Sequence, residues 1–173
     1  MRIRSATEAD AAAAAAVNVT AWRAAFHGIF SEQFLDSLSV ERRASAIAAR
    51  FGRADYSMRV ALDDGGAVVG FADWGPPREA VMHDYELYAL YVLPSHQQRG
   101  LGRGLLQVVA SAILAEGRTS LMCSVLEQNP HRAFYDRLGG RQIGRRSLLL
   151  DDAERAVIWY GWQRADLAGI GVI

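Results

Sequence analysis

Three glycines at every second position, Gly100, Gly102 and Gly104, sit among arginines in the stretch YVLPSHQQRGLGRGLL, residues 91–106. Each glycine inside a helix costs about 1 kcal/mol relative to alanine, so three at one helix start need a reason. The first N–H groups of a helix have no internal partners, and the helix dipole adds partial positive charge there. Glycine lets an anion approach that backbone closely, and Arg99 and Arg103 flank the position with charge-assisted donors. The chemistry indicated is capture of a phosphate or pyrophosphate. Tight packing of the helix start against a sheet is the other reading of the same spacing. The dinucleotide fingerprint does not fit, because Leu105 stands where its third glycine belongs. A Walker phosphate loop is excluded, since all 19 basic residues are arginine and the loop needs a lysine.

Other reactive side chains carry weaker signals. Cys123 lies in the middle of LMCSV, an apolar run, and reads as a small core residue. His27, His83, His96 and His131 show no metal-ligand spacing, so no metal is expected. Without lysine there is no Schiff-base chemistry.

These residues need elements to position them. MRIRSA alternates like a short strand, and Thr7 to Asp10 has the pattern of a capping box. An alanine-rich helix follows to about Phe26, stopped near Gly28. SEQFLDSLSVERRASAIAARF gives one or two more helices, capped by Ser31 and Ser39. From Met58 the period switches to two, with a hairpin around Asp64-Gly65-Gly66. HDYELYALYVLP is a longer strand ended by Pro94. A helix from Gly100 presents Leu101, Leu105, Val108 and Ala112 on one face, and Gly117 stops it. TSLMCSVLE is a strand, NPHRAFYDRLGG a short helix, and RQIGRRSLLLDD with AERAVIWYGWQ a closing antiparallel pair. The order is β-α-α-β-β-β-α-β-α-β-β, an α/β single domain.

Composition narrows the function. Hydrophobic residues make up 51% of the 173 and charged ones 22%, as in a globular domain. Nineteen basic and nineteen acidic residues balance, which argues against nucleic acid or an anionic membrane surface as partner. One cysteine forms no internal disulfide, and no apolar run reaches the length of about 18 residues needed to span a bilayer. The early alanine run follows Glu8 and Asp10 and does not read as a signal sequence. A soluble cytoplasmic protein is expected.

VLPSHQQRGLGRGLL resembles the acetyl-CoA-binding segment of the GNAT superfamily, the Gcn5-related N-acetyltransferases, whose signature is V-x-P-x-x-(Q/R)-x-x-G-x-(G/A). Val92, Pro94, Gln97, Gly100 and Gly102 meet it. NPHRAFYDRLGG is similar to a second segment of that family through Asn129, Ala133, Phe134 and Tyr135. It departs at Gly140, where the family usually has Phe. The resemblance covers nearly the whole chain. It implies an N-acetyltransferase domain over residues 1–165 with a C-terminal tail at 166–173. It also implies a mixed, mostly antiparallel sheet of about seven strands, splayed between strands 4 and 5 and flanked by helices. ELYALYVLP, VLEQN and AWRAAFHGIFSEQFLDSL further resemble a bacterial subgroup whose members acetylate diverse small amines, polyamines among them.

The resemblance also implies roles for single residues. Backbone N–H groups of the segment Gln98, Arg99, Gly100, Leu101, Gly102 and Arg103 hold the pyrophosphate, with Gln97 beside them. The strand edge through Leu90, Tyr91, Val92 and Leu93 bonds the pantetheine arm like an added strand. Asn129 contacts that arm, and Tyr135 is the general acid for the leaving thiolate. Glu86 matches a glutamate that acts as base. Strand alternation would put it on one face with Tyr88, Leu90 and Val92, where an apolar setting raises a carboxyl pKa. Glu127 is the runner-up base. Trp22 and Phe26 line the acceptor site, with Asp36 as a partner for a cationic acceptor. The implied reaction is direct acetyl transfer from acetyl-CoA to a small amine or a peptide N-terminus. A non-catalytic acyl-CoA sensor is the alternative on the same fold. The stretch VIWYGW offers an edge through which two subunits could pair.

Overall fold

The change of hydrophobic period near Met58 marks where helices give way to sheet. The computed structural model describes residues 2–79 and 81–170. Seven strands, β1 (Arg2–Ser5), β2 (Ser57–Leu62), β3 (Val68–Gly75), β4 (Tyr85–Val92), β5 (Ser120–Leu126), β6 (Arg141–Leu150) and β7 (Ala153–Gln163), form one sheet. Its order is β1-β2-β3-β4-β5-β7-β6. The helices are α1 (Ala11–Phe26), α2 (Glu32–Asp36), α3 (Val40–Ala48), α4 (Leu101–Ala115), α5 (Ala133–Arg137) and α6 (Arg164–Ile170). All pairings are antiparallel except β4 with β5.

Two apolar layers cover the sheet. On one face, α4 and α6 pack Leu105, Leu106, Val109, Ile113, Leu167 and Ile170 against Trp74, Tyr160 and Trp162. On the other, α1 and α3 pack Ala14, Val17 and Ile47 against Val60 and Phe71. The buried stripe of α4 runs through Leu101, Leu105, Val109 and Ile113. Val108 and Ala112, expected on that stripe, sit at its flank, because the stripe keeps a spacing of four residues down the helix.

Two expectations change at the C-terminal end. Residues 164–170, expected in part as a tail from 166, form α6, whose Leu167 and Ile170 are buried and whose Ile170 carbonyl accepts from Gln107 Nε2 at 3.0 Å. The core therefore continues through Ile170; residues 171–173 lie outside the described residues. VIWYGW is not an edge either. The turn at Asp151 and Asp152, both at positive φ, folds β6 back along β7, leaving β7 between β5 and β6. Gly140 departs from the family without leaving a hole, since the Trp162 ring from β7 lies within 2.7 Å of where its Cβ would be.

The first turn shows how one side chain secures a helix start. Asp10 accepts from both Arg4 Nη atoms at 2.8 Å and from the Thr7 backbone N–H at 2.8 Å. The guanidinium of Arg4, first, holds its pKa down at about 2, below the ordinary 3.8. A carboxyl depressed in the folded state stabilises it above the unfolded pKa and loses that as pH falls through the folded one. Asp10→Asn is expected to cost about 1–2 kcal/mol at neutral pH, allowing for solvent screening of Arg4, and almost nothing at about pH 1, below the folded pKa. Denaturant melts at the two pH values check it.

Candidate active site

β4 pairs with β5 through only three rungs, Tyr85 with Leu121, Glu86 with Met122 and Leu87 with Cys123, and then the strands part. A register shift between Asp73 and Trp74 places a bulge in β4 beside that point, so Trp74 faces Leu87 while Asp73 faces Ala89. Bulges bend and twist a strand, and here the bend opens the sheet. Beyond it, β4 remains bonded to β3. Leu93 N–H donates to Val69 O at 2.8 Å. Antiparallel alternation then turns the N–H groups of Leu90 and Val92 toward the opened side.

A cavity of about 610 Å³ fills the opening. Leu90, Tyr91 and Val92 form one wall, and Asn129 and Tyr135 form the other. Gln97, Gln98, Gly100, Leu101, Gly102 and Arg103 close its end at the start of α4. Leu93 and Arg99, from the same predicted set, do not line it. The N–H of Leu93 is committed to Val69, as above.

The three glycines serve three different needs. Gly100 caps α4 at φ 81°, and Gln98 shares the left-handed region at φ 58°, so the loop curls ahead of the helix. The first internal helix bond, Gly104 N–H to Gly100 O at 2.9 Å, leaves the N–H groups of Leu101, Gly102 and Arg103 ahead of it. A Cβ on Gly102 would stand 3.3 Å from Phe134, and one on Gly104 would stand 3.2 Å from Ile3. The close-packing reading thus accounts for Gly104, while Gly100 and Gly102 border the cavity. Arg103 also borders it, and its Nε is buried with no hydrogen-bond partner. Gln97 shapes the loop by donating from Nε2 to Val92 O at 3.0 Å.

A second cavity of about 100 Å³ lies deeper in the splay, and Phe26, Leu90, Tyr91, Asn129 and Tyr135 border both. Tyr135 therefore stands where the two meet. Burial drives its pKa well above the ordinary phenol range, so the hydroxyl is a proton donor at neutral pH. Trp22 borders the deeper cavity and donates from Nε1 to Tyr91 Oη at 2.8 Å. Cys123 also borders it, but burial pushes the thiol pKa up, so it stays protonated and a poor nucleophile. Asn129 Oδ1 accepts from His131 N–H at 2.8 Å, which holds the turn into α5 and leaves the amide NH₂ for the cavity.

Glu86 lies elsewhere. It is 3% exposed, borders neither cavity, and accepts from the Arg78 backbone N–H at 2.9 Å and from its guanidinium. The expected shared face with Tyr88, Leu90 and Val92 is broken by the bulge. Leu90 and Val92 pack toward α4, and Ala89 and Tyr91 pack toward α1. Glu127 is paired with Arg145 at 2.8 Å, and Asp36 is exposed on α2 and borders neither cavity. Sequence reasoning missed Asp73, which is 1% exposed, bonded to Arg50 at 3.0 Å and Tyr56 at 3.1 Å, with its pKa pushed up by burial to about 6. It also missed Ala21 and Ala25 on the cavity wall, which helical spacing from Trp22 and Phe26 would have indicated. Among the described residues, no group of three or more His, Cys, Asp or Glu is placed to hold a metal, and no helix is long and apolar enough to cross a membrane.

A parallel strand pair that opens onto a helix-start anion cradle, with strand N–H groups along the opening, suits an extended ligand that carries a phosphate at one end. Comparison with known proteins carries this further. Residues 80–149 match the family described as FR47-like protein. A Bacillus subtilis relative, the uncharacterized N-acetyltransferase YuaI, is 32% identical over 161 residues, which is 92% of this chain and 91% of the relative. Among solved structures, the PaiA N-acetyltransferase from Thermoplasma acidophilum in complex with coenzyme A superposes with a TM-score of 0.69 at 20% identity, covering 94% of this chain and 98% of that one. The yncA protein from Salmonella typhimurium, solved with acetyl-CoA, gives 0.69 at 22% identity, covering 95% and 94%. A ribosomal-protein-alanine N-acetyltransferase from Brucella melitensis gives 0.73 at 24% identity, covering 94% and 99%. The chain belongs to the GNAT superfamily of acetyl-CoA-dependent N-acetyltransferases.

Proposed function

We propose that this protein moves the acetyl group of acetyl-CoA directly to a primary amine of a small molecule or a peptide N-terminus, within one ternary complex. The observation that carries this reading is the continuous cavity from the free edge of β4 to the first turn of α4. The N–H groups of Leu101, Gly102 and Arg103 and the unpartnered Arg103 Nε suit the pyrophosphate. The N–H groups of Leu90 and Val92, with the Asn129 amide, suit the pantetheine arm. The amine enters through the deeper cavity beside Trp22 and Phe26.

In the reaction the amine nitrogen bonds to the carbonyl carbon, and the carbon–sulfur bond breaks. The thiolate takes the proton of the Tyr135 hydroxyl, the proton lost by the nitrogen passes to water, and the tyrosinate takes a proton back from water to restore the phenol. Glu86, held by Arg78 beside the bulge, supports the shape of β4 instead of taking that proton. The cytoplasm suits the single buried thiol, which stays reduced there.

The test is isothermal titration with acetyl-CoA and CoA, followed by thiol release across a panel of primary amines. Binding in the range of about 1–100 μM with amine-dependent release of CoA is the expected result. No binding of either overturns the reading.

A further inference from the structure

We infer that Ser124 orients the acceptor: its hydroxyl and its main-chain carbonyl receive the two N–H groups of the attacking primary amine. The inference rests on the acetyltransferase reading above and names what holds the nucleophile in that site.

A strand turns its main-chain groups alternately to its two neighbours. On β5, Glu127 N–H donates to Ala156 O on the β7 side at 2.8 Å, so Ser124, three residues earlier, turns its main chain to β4. The last rung between β4 and β5 pairs Leu87 with Cys123. Counting the bulged Tyr88, the next rung would join the Ser124 carbonyl to Leu90 N–H. The strands part at that point, and Leu90 N–H serves the pantetheine arm instead. The Leu126 carbonyl, next on the same side of β5, is taken by Asn129 N–H at 2.9 Å. The Ser124 carbonyl faces the opening with no strand partner.

The side chain lies on the acceptor side. Cys123 and Val125 belong to the core under α4. Alternation sends Ser124 to the other face, shared with Leu126, which packs with Phe26 and Phe30. Ser124 borders the deeper cavity together with Trp22 and Phe26, and its hydroxyl has no hydrogen-bond partner among the described residues. Other polar side chains around that cavity are engaged. Tyr91 Oη accepts from Trp22 Nε1 at 2.8 Å, Asn129 Oδ1 accepts from His131 N–H at 2.8 Å, and the Tyr88 hydroxyl donates to Pro76 O at 2.6 Å. Tyr135 is the donor to sulfur.

A neutral primary amine carries two N–H groups and a lone pair. With both N–H groups on Ser124, one at Oγ and one at the carbonyl, the lone pair faces across the opening to β4, where the arm brings the acetyl carbon. The parted strands thus serve the two reactants differently: β4 offers donors to the thioester arm, and β5 offers acceptors to the nucleophile. Orientation of this kind acts on kcat and leaves acetyl-CoA affinity alone. A secondary amine has a single N–H and fills only one of the two acceptors.

The experiment measures kcat and KM by thiol release from acetyl-CoA for phenethylamine, butylamine and glycinamide, each beside its N-methyl counterpart. Hydroxylamine and N-methylhydroxylamine serve as nucleophiles that need no wider pocket. Each primary amine is expected to turn over about tenfold or more faster than its N-methyl form. Ser124→Ala is expected to lower kcat about tenfold for the primary amines, the worth of one hydrogen bond, and to leave the N-methyl amines within about twofold, so that the ratio collapses. Ser124→Thr, which returns the hydroxyl, restores the ratio, and Ser124→Val, with threonine's shape but no hydroxyl, does not. Melting and acetyl-CoA titration of each variant separate orientation from misfolding. Equal loss for primary and secondary amines, or full kcat for primary amines in Ser124→Ala, overturns the inference and leaves acetyl transfer standing. Binding of acetyl-CoA with transfer to none of these nucleophiles overturns it as well. Failure to bind acetyl-CoA overturns the acetyltransferase reading and this inference together.

Discussion

Tyr135→Phe is expected to lower kcat by about 100-fold while leaving acetyl-CoA affinity within about twofold, because a positioned general acid contributes about 10²–10⁴. The ring is held from several sides. Phe134 meets it edge-on at 5.2 Å, Tyr160 lies at 5.6 Å and Trp162 at 6.2 Å. Phenylalanine keeps these contacts, so the change removes one proton donor and little else. Tyr135 borders both cavities, and the pKa of its hydroxyl is driven far above the phenol range by burial, with Cys123, Tyr91 and Tyr160 adding to the shift. It therefore stays protonated through the working range, and its ionisation sets no upper pH limit on the rate below about pH 9. Pre-steady-state thiol release with the mutant and wild type separates chemistry from product release. A mutant that retains full turnover removes Tyr135 from the reaction and leaves it as a packed aromatic.

How much of this was legible depends on how local each feature is. The glycine stretch carries its own explanation, because strand end, left-handed cap and helix start lie within sixteen residues of sequence. The second segment worked for the same reason: Asn129 Oδ1 closes a turn by accepting from the N–H of His131 two residues on, and Tyr135 rides the short helix that follows. Features made by pairing were not legible. The β4 bulge exists only in register with β3, and it moves Glu86 and Tyr88 off the face that strict alternation gives Leu90 and Val92. Arg78, which occupies Glu86, comes from an aperiodic segment between β3 and β4. Arg43 meets Trp22 only because α3 packs on α1. The place of β7 inside the sheet follows from a hairpin turn of two non-glycine residues at positive φ, which no glycine signal announces. Such long-range meetings leave no local pattern, and that is why the glycine segment reads from sequence more readily than the contacts made across the sheet.

The largest effect on binding is expected at Gly102. Gly102→Glu should weaken acetyl-CoA by about 100-fold or more, since like charges brought together in a closed site cost several kcal/mol and each 1.4 kcal/mol is about tenfold. The side chain has nowhere else to go: its Cβ starts 3.3 Å from Phe134 and 3.7 Å from Leu90, on the cavity wall. Fold stability should move much less. A carboxylate in the first turn of a helix gains about 0.3–1 kcal/mol from the dipole, which offsets part of the crowding of Phe134. The mutant thus mimics the anion it excludes. Gly104→Ala is the matched contrast. Gly104 borders neither cavity, and its added methyl meets only the flexible end of Ile3 at 3.2 Å. Alanine there gains about 1 kcal/mol of helix propensity, so affinity for acetyl-CoA should stay unchanged and stability should shift by no more than about that amount. Titration and thermal melts of the two variants divide the glycine cluster by purpose. If Gly102→Glu binds acetyl-CoA as tightly as wild type, the anion does not sit on this helix start, and close packing against Phe134 becomes the whole reason for the glycine.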